Sequence, residues 1–480
     1  GQPYDPSVVK TDEAVLQAFY TERGFLDSRV ESVTEEATPA PPRPLGAAIT
    51  YRIFEGERTT FGKTVVRGNR RTRFSIIEAQ FAHKEGAAFS LSRLIETQQA
   101  LTRLGVFQRV DLTYFPTDPE RKARTVLVTL SEGKPWSLLY GIGAEYDPGA
   151  THSLNPRFSL GVSYNNLFGR AMSVGAEGRW SVREQRFVAS LRDRSLFRWH
   201  LPLSLTVFNA KEVRENFEVK RRGTFIETDR RFSPSVKASL RYQYEIVEPK
   251  ADDPAFLSTQ ERQNQKIAIS SIGPGLTIDT RSDPIDPKSG YLMAGDFKYA
   301  FSFLDADARF LKGLVQAAIY RPFQTTTFAF SLRAGAIQSY GTCDPVENPT
   351  CPPNKEIPIA ERFYAGGRTT HRAFSLDNLG IEGQTLDSNG VGFGGNGLIV
   401  ANAEWRIPVF GDFGISLFLD AGNVWADYRD ISLSELRTGA GVGLHYLTPV
   451  GPLRVEYGLK LDRKPAESLG EFSFSIGYPF

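Results

Sequence analysis

The sequence lacks long hydrophobic runs. Of its 480 residues, 41% are hydrophobic, yet no stretch of 18 consecutive apolar residues occurs. An α-helix that spans a bilayer needs about 20 predominantly apolar residues, so an ordinary transmembrane helix is excluded. A membrane β-barrel is not excluded, because only every second residue of its strands faces lipid.

An excess of charge of either sign is also absent. The chain has 57 Lys and Arg residues against 55 Asp and Glu residues, which gives a formal net charge of +2. Proteins that bind nucleic acid usually carry a strongly basic surface. We therefore expect no nucleic-acid partner.

The sequence contains no convincing set of catalytic or metal-binding residues. The five histidines are scattered and form no His-Glu-x-x-His motif. Asp283 and Asp286 lie in DPIDPKSG, where Asp, Pro and Gly favour turns. The motif GFGGNG, at 392–397, precedes a predicted strand rather than a helix, so it lacks the geometry that cradles phosphate. We expect no enzyme activity, no metal and no cofactor.

Cysteine is scarce. The two cysteines, Cys343 and Cys351, lie in the Pro-rich segment GTCDPVENPTCPP. Their short separation favours a disulfide loop formed in an oxidising compartment, with free thiols as the alternative. Zinc binding would need further ligands nearby, and none are present in this segment. Because Gly1 opens no signal peptide, we expect a mature or truncated chain.

In the last ten residues, 471–480, apolar residues alternate strictly with polar or small ones. One face of this segment is apolar, and it carries Phe472, Phe474, Ile476, Tyr478 and Phe480. Period-two alternation is typical of a β-strand. A free edge strand this apolar would aggregate in water, whereas a closed barrel has no edge and exposes the apolar face to lipid. The inner face of a soluble sandwich is the alternative interpretation.

The same alternation recurs throughout the region that begins at Pro135. We predict sixteen strands, near 136–147, 156–166, 171–181, 184–194, 201–213, 219–230, 234–247, 267–280, 290–304, 308–321, 327–340, 397–409, 413–426, 437–448, 452–462 and 471–480. An even number of antiparallel strands with short turns at one end is typical of a transmembrane barrel. In SVKASLRYQYEI, Lys237, Arg241 and Glu245 lie on the polar face, which predicts a water-lined interior.

The first 134 residues have a different, mixed α/β character. Helical patterns occur at Asp12–Tyr20, Ser75–Phe81 and Ser90–Leu104, each near short predicted strands. Two blocks share the order helix, strand, loop, strand and then Glu-Gly, which indicates an internal repeat of roughly 75 to 80 residues. We predict small domains at 1–58 and 59–134, the first truncated at its N-terminus, followed by a barrel at 135–480.

One connection of the predicted barrel is far longer than the others. Residues 341–396 join the eleventh and twelfth strands, and loops of this length are usually functional or disordered. We predict that this loop folds into the lumen. Its motif ERFYAGGRTTHRAF contains Arg372, whose planar guanidinium can bond Glu404 and Asp420 together. The alternative is that both carboxylates simply line a solvated pore.

These segments resemble the BamA/TamA outer-membrane assembly-factor superfamily over nearly the whole chain. The resemblance rests on DTRSDPIDPKSGY (279–291), GVGLHYLTPVGPLRVEYG (441–458), FLDAG (418–422) and the terminal aromatic strand. The repeated α/β blocks resemble POTRA domains. The resemblance implies a membrane all-β fold, namely a sixteen-stranded antiparallel transmembrane barrel preceded by small α/β POTRA domains.

The family's loop motif ends in Arg-Gly-Phe or Arg-Gly-Tyr, whereas this chain has Arg372-Ala373-Phe374. By resemblance, Gly366 and Gly367 belong to the motif, and Arg372 locks the loop to both carboxylates. Glycine readily adopts a positive φ angle that alanine disfavours, so the backbone at Ala373 is expected to differ from that of the family motif.

The resemblance also implies a function and its partners. The protein would insert and fold β-barrel proteins in the bacterial outer membrane, with its POTRA domains in the periplasm. Unfolded outer-membrane clients would bind at POTRA edges and at a weak seam between the first and last strands, within the lipid bilayer. The predicted seam residues are Trp136, Leu138, Tyr140, Gly477 and Pro479. Accessory periplasmic or lipoprotein subunits are left open.

Three other functions are compatible with the sequence. The strongest is a two-partner secretion pore that exports one exoprotein through the lumen, since two POTRA units suit that type. The second is a membrane anchor for a removed passenger enzyme. A passive porin is disfavoured, because porins lack POTRA domains.

Overall fold

A computed structural model describes residues 4–36, 47–116, 122–146, 154–194, 201–284, 286–340, 357–448, 451–465 and 467–476. The chain divides into two compact units. The first contains residues 1–136 with 164–173 and 197–200, and the second contains the remainder. Among the described residues, no helix combines the length and the apolar character needed to cross a bilayer.

The first unit begins with a helix and a two-stranded sheet. The elements are α1 (Pro6–Thr21), β1 (Arg29–Glu36) and β2 (Ala47–Phe54), and the two strands pair antiparallel. Helix α1 is longer than the predicted Asp12–Tyr20, because Asp5 caps it: the Asp5 carboxylate accepts a hydrogen bond of 2.8 Å from the Ser7 amide. The amphipathic pattern alone marked only the later turns.

The same unit continues with a second α/β block. Its elements in chain order are β3 (Thr60–Arg67), α2 (Phe74–Glu78), α3 (Leu91–Arg103), β4 (Phe107–Pro116) and β5 (Ala123–Glu132). The sheet order is β3-β5-β4, with β3 parallel to β5 and β4 antiparallel to it. The two helices cover this sheet and bury an apolar core that includes Phe61, Ile77, Phe89, Leu101, Val126 and Val128.

The second unit is a closed antiparallel barrel, so the predicted fold class is confirmed. Its sixteen strands, β6 to β21, close when β21 pairs with β6. A short helix, α4 (Thr259–Asn264), lies between β12 and β13. The strands are β6 (Trp136–Tyr146), β7 (Leu154–Leu167), β8 (Met172–Ser181), β9 (Glu184–Asp193), β10 (Leu203–Val213), β11 (Phe217–Arg231), β12 (Val236–Ala251), β13 (Ile267–Asp279), β14 (Gly290–Ala300), β15 (Phe310–Phe323), β16 (Thr326–Ser339), β17 (Gly397–Phe410), β18 (Phe413–Trp425), β19 (Arg437–Thr448), β20 (Gly451–Lys460) and β21 (Gly470–Ile476).

The barrel wall has an apolar outer surface and a mixed inner surface. Neighbouring residues alternate sharply: Val207 is 54% exposed, whereas Phe208 is 7% exposed. The exposed positions form a band that suits lipid. This band includes Leu205, Val207, Ile226, Leu240, Leu276, Val315, Phe330, Leu332, Leu417, Leu419, Val442 and Leu444.

Several sequence predictions fall on residues that the structure does not describe. These are the disulfide between Cys343 and Cys351, the seam residues Gly477 and Pro479, and the terminal aromatic residues Tyr478 and Phe480. They stay predictions.

The α/β block of the first unit is tied together by Glu132, the Glu of the Glu-Gly repeat signature. Its carboxylate accepts hydrogen bonds from the Thr72 amide and hydroxyl, both 2.7 Å, and from the Arg71 amide at 3.0 Å. Burial alone would raise the pKa of Glu132, but the hydrogen bonds from Thr72 and Arg71 outweigh it, so that the pKa lies below its ordinary value of 4.5. The charged carboxylate therefore stabilises the turn after β3.

Replacing Glu132 with Gln should weaken this block. We expect its free energy of unfolding to fall by about 2 kcal/mol, a typical value for hydrogen bonds to a charged group. Because the folded-state pKa is lowered, the wild-type stabilisation is complete above the ordinary pKa of 4.5 and is lost as the pH falls below it. Amide hydrogen exchange across residues 59–133 of the intact chain, compared at neutral and acidic pH, measures both effects.

The exposed Glu78 provides a matched control, since Glu78→Gln removes the same charge without these contacts. A gap between Glu132→Gln and wild type that widens toward low pH would contradict this assignment.

Candidate functional site: the loop in the barrel lumen

The described part of the long connection, residues 357–396, lies inside the barrel. Its apolar side chains pack against inward-facing residues of the wall in one continuous buried cluster. From the loop come Ile357, Ile359, Phe363, Phe374 and Leu379, and from the wall come Phe217, Val219, Val247, Ile267, Ile269, Phe310, Ile337, Leu398 and Val400. The loop therefore gives the lumen an apolar core of its own.

Arg372 lies at the centre of a buried ionic contact. Its side chain is 7% exposed, and its Nε and Nη2 atoms donate to the two oxygens of Asp420 at 2.9 and 2.7 Å. Its Nη1 donates to Glu404 at 2.6 Å, and its backbone amide donates to Asp420 at 2.9 Å. The structure thus brings together the three residues that the sequence grouped, with the two-pronged geometry that favours arginine over lysine.

Further groups complete this contact. Asn402 donates to the Thr370 carbonyl at 2.6 Å and to Asp420 at 2.8 Å. The Arg372 guanidinium carbon lies 3.6 Å from the centre of the Phe418 ring, a cation–π geometry. Glu404 also accepts from Arg406 at 2.7 Å. The loop is therefore fixed through side chains of β17 and β18 whose alternation aims them inward.

One partner of Arg372 was missed by the sequence reasoning. Glu456 of β20 lies 3.4 Å from Arg372 Nη1 and is buried. In PLRVEYGLKL (452–461), Glu456 alternates with the apolar Val455 and Tyr457, which is the signal that could have identified it on the lumen face. The sequence alone does not indicate that residues of β18 and β20 both lie within reach of the Arg372 guanidinium.

The departure from the family motif, Ala373, is accommodated without a positive φ angle. Ala373 is fully buried and packs beside Gly439 of β19 and Gly458 of β20. A Cβ atom added at Gly439 would lie 2.5 Å from the Ala373 Cβ, and one added at Gly458 would lie 2.5 Å from the Arg372 carbonyl oxygen. The wall glycines make room for the extra methyl group of the loop.

The other motif residues shape the turn that presents Arg372. Gly366 and Gly367 have φ angles of +113° and +80°, which a side chain would strain. The Gly367 amide donates to the Phe374 carbonyl at 2.8 Å, and the Thr370 hydroxyl donates to the Gly366 carbonyl at 2.8 Å. Phe374 is buried and stacks edge-on against His371 at 4.8 Å between ring centres.

The motif GFGGNG lies where the loop returns to the barrel wall, at the start of strand β17. The Gly395 amide and carbonyl exchange hydrogen bonds with Phe363, at 3.0 and 2.8 Å. A Cβ at Gly395 would lie 2.1 Å from the Trp425 carbonyl oxygen. Because Gly397 opens strand β17, these glycines permit close backbone packing.

The seam is the closure between β21 and β6. Within the described residues it contains three paired positions, Phe474 with Tyr146, Ser475 with Glu145, and Ile476 with Ala144. Phe472 of the terminal strand faces Tyr146, with ring centres 6.4 Å apart. The predicted seam residues of β6 are highly exposed, with values of 64% for Trp136, 66% for Leu138 and 75% for Tyr140.

A lipid-facing sixteen-stranded barrel with an arginine-anchored loop in its lumen, together with a small α/β domain, defines a class of outer-membrane proteins. The Omp85 superfamily domain matches residues 166–480, and a second family, surface antigen variable number repeat (POTRA), matches residues 59–133. The chain belongs to the Omp85 superfamily. Its barrel resides in the outer membrane, and its POTRA region lies in the periplasm.

Individual relatives share only low sequence identity with this chain. Outer membrane protein assembly factor BamA of Nitratidesulfovibrio vulgaris is 23% identical over 98% of this chain, which spans 57% of that relative's length. The structure of Haemophilus ducreyi BamA lacking POTRA domains 1–3 superposes with a TM-score of 0.72 at 18% identity, covering 100% of this chain and 94% of that one. CdiB from Acinetobacter baumannii gives 0.53 at 13% identity, covering 99% and 83%. At these identities the two structures establish the fold alone.

Replacing Arg372 with Ala should release the loop. The buried Asp420 and Glu456 would lose the cation that pairs with them, and Glu404 would keep only Arg406. Breaking a buried ion pair typically costs about 3–5 kcal/mol. We expect higher conductance of the purified protein in planar lipid bilayers and a lower melting temperature. Arg429→Ala, which removes an exposed arginine between β18 and β19, is the control. Unchanged conductance and melting temperature would mean that the contact does not hold the loop.

Replacing Gly439 with Ala should displace the same motif by crowding rather than by loss of charge. The new methyl group would sit within 2.5 Å of the Ala373 Cβ, so the loop or strand β19 must shift. We expect a lower melting temperature, and partial recovery when Ala373→Gly is added, because this removes the nearest clashing atom and leaves the contact with His371 Cε1 at 2.8 Å. Gly295→Ala, with its nearest neighbour at 3.8 Å, should be tolerated. No recovery in the double variant would place the clash elsewhere.

Proposed function

We propose that the protein containing this chain inserts and folds β-barrel proteins in the outer membrane, through the seam between β6 and β21. It does so without an enzymatic step or a cofactor. Membership of the Omp85 superfamily supports this proposal, as do the relatives that are named outer membrane protein assembly factors.

The observation that carries the proposal is the filled lumen. A substrate that passed through the barrel would have to expel a loop that buries Ile357, Ile359 and Phe363 and that holds Arg372 among three carboxylates. A client that pairs with the barrel wall at the seam needs no such displacement. The structure therefore favours insertion of clients at the barrel wall over transport of a substrate through the lumen.

The seam offers what an incoming β-strand requires. Backbone N–H and C=O groups without partners are costly in lipid, so a client strand gains by pairing with another strand. Strand β6 includes Gly141 and Gly143, which weaken a strand because they add no side-chain packing. Opening the pairs around Ser475 and Glu145 would present a template edge inside the membrane.

The POTRA region supplies a binding surface for the same partners. The outer strands of its three-stranded sheet are β3 and β4. An unfolded client can add a strand to such an edge by main-chain hydrogen bonds. Unfolded outer-membrane proteins and the bilayer are thus the proposed partners, with accessory periplasmic or lipoprotein subunits as a further possibility that the family suggests.

A two-partner secretion pore is the second candidate. Two predicted POTRA units followed by a barrel suit that function as well. The two functions differ in what is lost when the protein is removed from cells. Loss of many outer-membrane barrels indicates an insertase, and loss of one secreted protein indicates an exporter.

Depletion with complementation tests the proposal. Cells depleted of the protein should lose outer-membrane barrel proteins broadly, as measured by quantitative proteomics of the outer membrane. Wild-type protein should restore them. A variant with Ala144→Cys and Ile476→Cys, two residues paired across the seam, should restore them only under reducing conditions, because a disulfide there prevents opening.

Each single-cysteine variant controls for the substitutions themselves, and non-reducing gels verify that the cross-link forms. Full recovery by the cross-linked variant would refute opening of the seam. Loss of a single secreted protein on depletion would establish the exporter instead.

A further inference from the structure

The lumen loop also carries a buried carboxylate, Glu361, eleven residues before Arg372. Its side chain is 3% exposed. The Glu361 carboxylate accepts from Lys298 Nζ at 2.8 Å and from Arg221 Nη2 at 2.9 Å. Lys312 Nζ lies 3.5 Å from the same carboxylate and donates to the Glu361 carbonyl oxygen at 2.6 Å. Three cations from three strands, β11, β14 and β15, therefore surround one loop carboxylate.

A wall carboxylate completes this cluster. Glu245 of β12 is fully buried and accepts from Arg221 at 3.0 and 3.1 Å and from Lys298 at 3.1 Å. We call the four side chains Arg221, Glu245, Lys298 and Lys312 the basic wall. Without the loop, the basic wall holds three positive charges and one negative charge side by side, and the like charges repel one another.

The surroundings of Arg372 have the reverse balance. We call the side chains of Glu404, Asp420, Glu456 and Arg406 the acidic wall. The acidic wall supplies three negative charges and one positive charge. The acidic wall belongs to β17, β18 and β20, whereas the basic wall belongs to β11, β12, β14 and β15. The loop delivers one charge of the compensating sign to each wall.

We propose that Glu361 is a second anchor of the loop, and that the two anchors of opposite sign fix the direction in which the loop threads the barrel. A loop threaded the other way would place Arg372 against the basic wall and Glu361 against the acidic wall. Both contacts would then bring like charges together, which is repulsive. The barrel interior thus selects one orientation by charge as well as by shape.

The backbone around Glu361 is prepared for this contact. A short 3₁₀ turn, Ile359–Glu361, follows Pro358, and the Ile359 amide donates to Glu261 of α4 at 3.0 Å. Arg362 Nε donates to the Ile357 carbonyl at 3.1 Å. These bonds hold the turn so that the Glu361 side chain faces the basic wall. The anchor consequently involves the loop, the wall and the connection between β12 and β13.

Cysteine accessibility in the full-length protein tests the proposal independently of its activity. In a background with Cys343→Ser and Cys351→Ser, Ala360→Cys reports on the segment beside Glu361, and Ser375→Cys reports on the segment beside Arg372. Both positions are partly buried. A membrane-impermeant maleimide applied to outer-membrane fragments measures the labelling rate at each cysteine.

We expect Glu361→Gln to speed labelling of the Ala360 reporter by about tenfold or more, since local opening sets the labelling rate of a protected site. The Ser375 reporter should stay within about threefold of wild type, because Arg372 still holds its own segment. Arg372→Ala should give the reverse pattern. Glu361→Asp, which keeps the charge, should recover most of the protection, whereas Glu361→Lys should give the fastest labelling.

Glu382→Gln removes an exposed loop carboxylate and serves as the matched control. Heat-modifiable gel mobility verifies that each barrel is folded. If Glu361→Gln gives no folded barrel, Lys298→Gln leaves the loop sequence intact and should expose the Ala360 reporter in the same way. Labelling of that reporter within twofold of wild type in the folded variant, for either substitution, overturns the proposal.

Discussion

The barrel is governed by the need to pair every backbone hydrogen-bonding group that meets lipid. Hydrocarbon offers no partner to a free N–H or C=O group, so a sheet in the membrane must close on itself. Closing sixteen strands satisfies the wall but encloses a wide interior. The loop between β16 and β17 resolves the second problem by filling that interior with Ile357, Ile359 and Phe363. Closure of the sheet therefore creates a wide interior, and the loop provides a core for that interior.

That internal core differs from the core of a water-soluble protein, because charged residues are built into it. Burying an unpaired charge is costly, so a buried charge on the loop needs polar or charged partners. Arg372 finds that complement in Asp420 and Glu404. Apolar packing gives the loop most of its burial, while the ionic contacts determine which position of the loop is allowed.

The sequence predicted the barrel more completely than the interior. Alternation of apolar and polar residues identified every barrel strand; for example, β17 was predicted at 397–409 and runs from Gly397 to Phe410. The helix α1 was underpredicted because its cap, Asp5, lies outside the amphipathic segment. Arg372 was paired with its carboxylates because alternation fixed their face and the length of the loop indicated that it enters the lumen; the family resemblance then supported the pairing. Glu361 lies in an irregular segment without periodicity, so no local pattern could point to Lys298 or Arg221 across the barrel.

The contact between Ala373 and Gly439 has a consequence for how such sequences can change. The loop residue and the wall residue share a space that holds one methyl group, since a second one at Gly439 would lie only 2.5 Å from the first. A mutation at either position is therefore conditional on the residue at the other, although 66 positions separate them. Across related chains the two sites should covary as a reciprocal small–large pair, and a drift in one lineage would make its loop incompatible with the barrel of another.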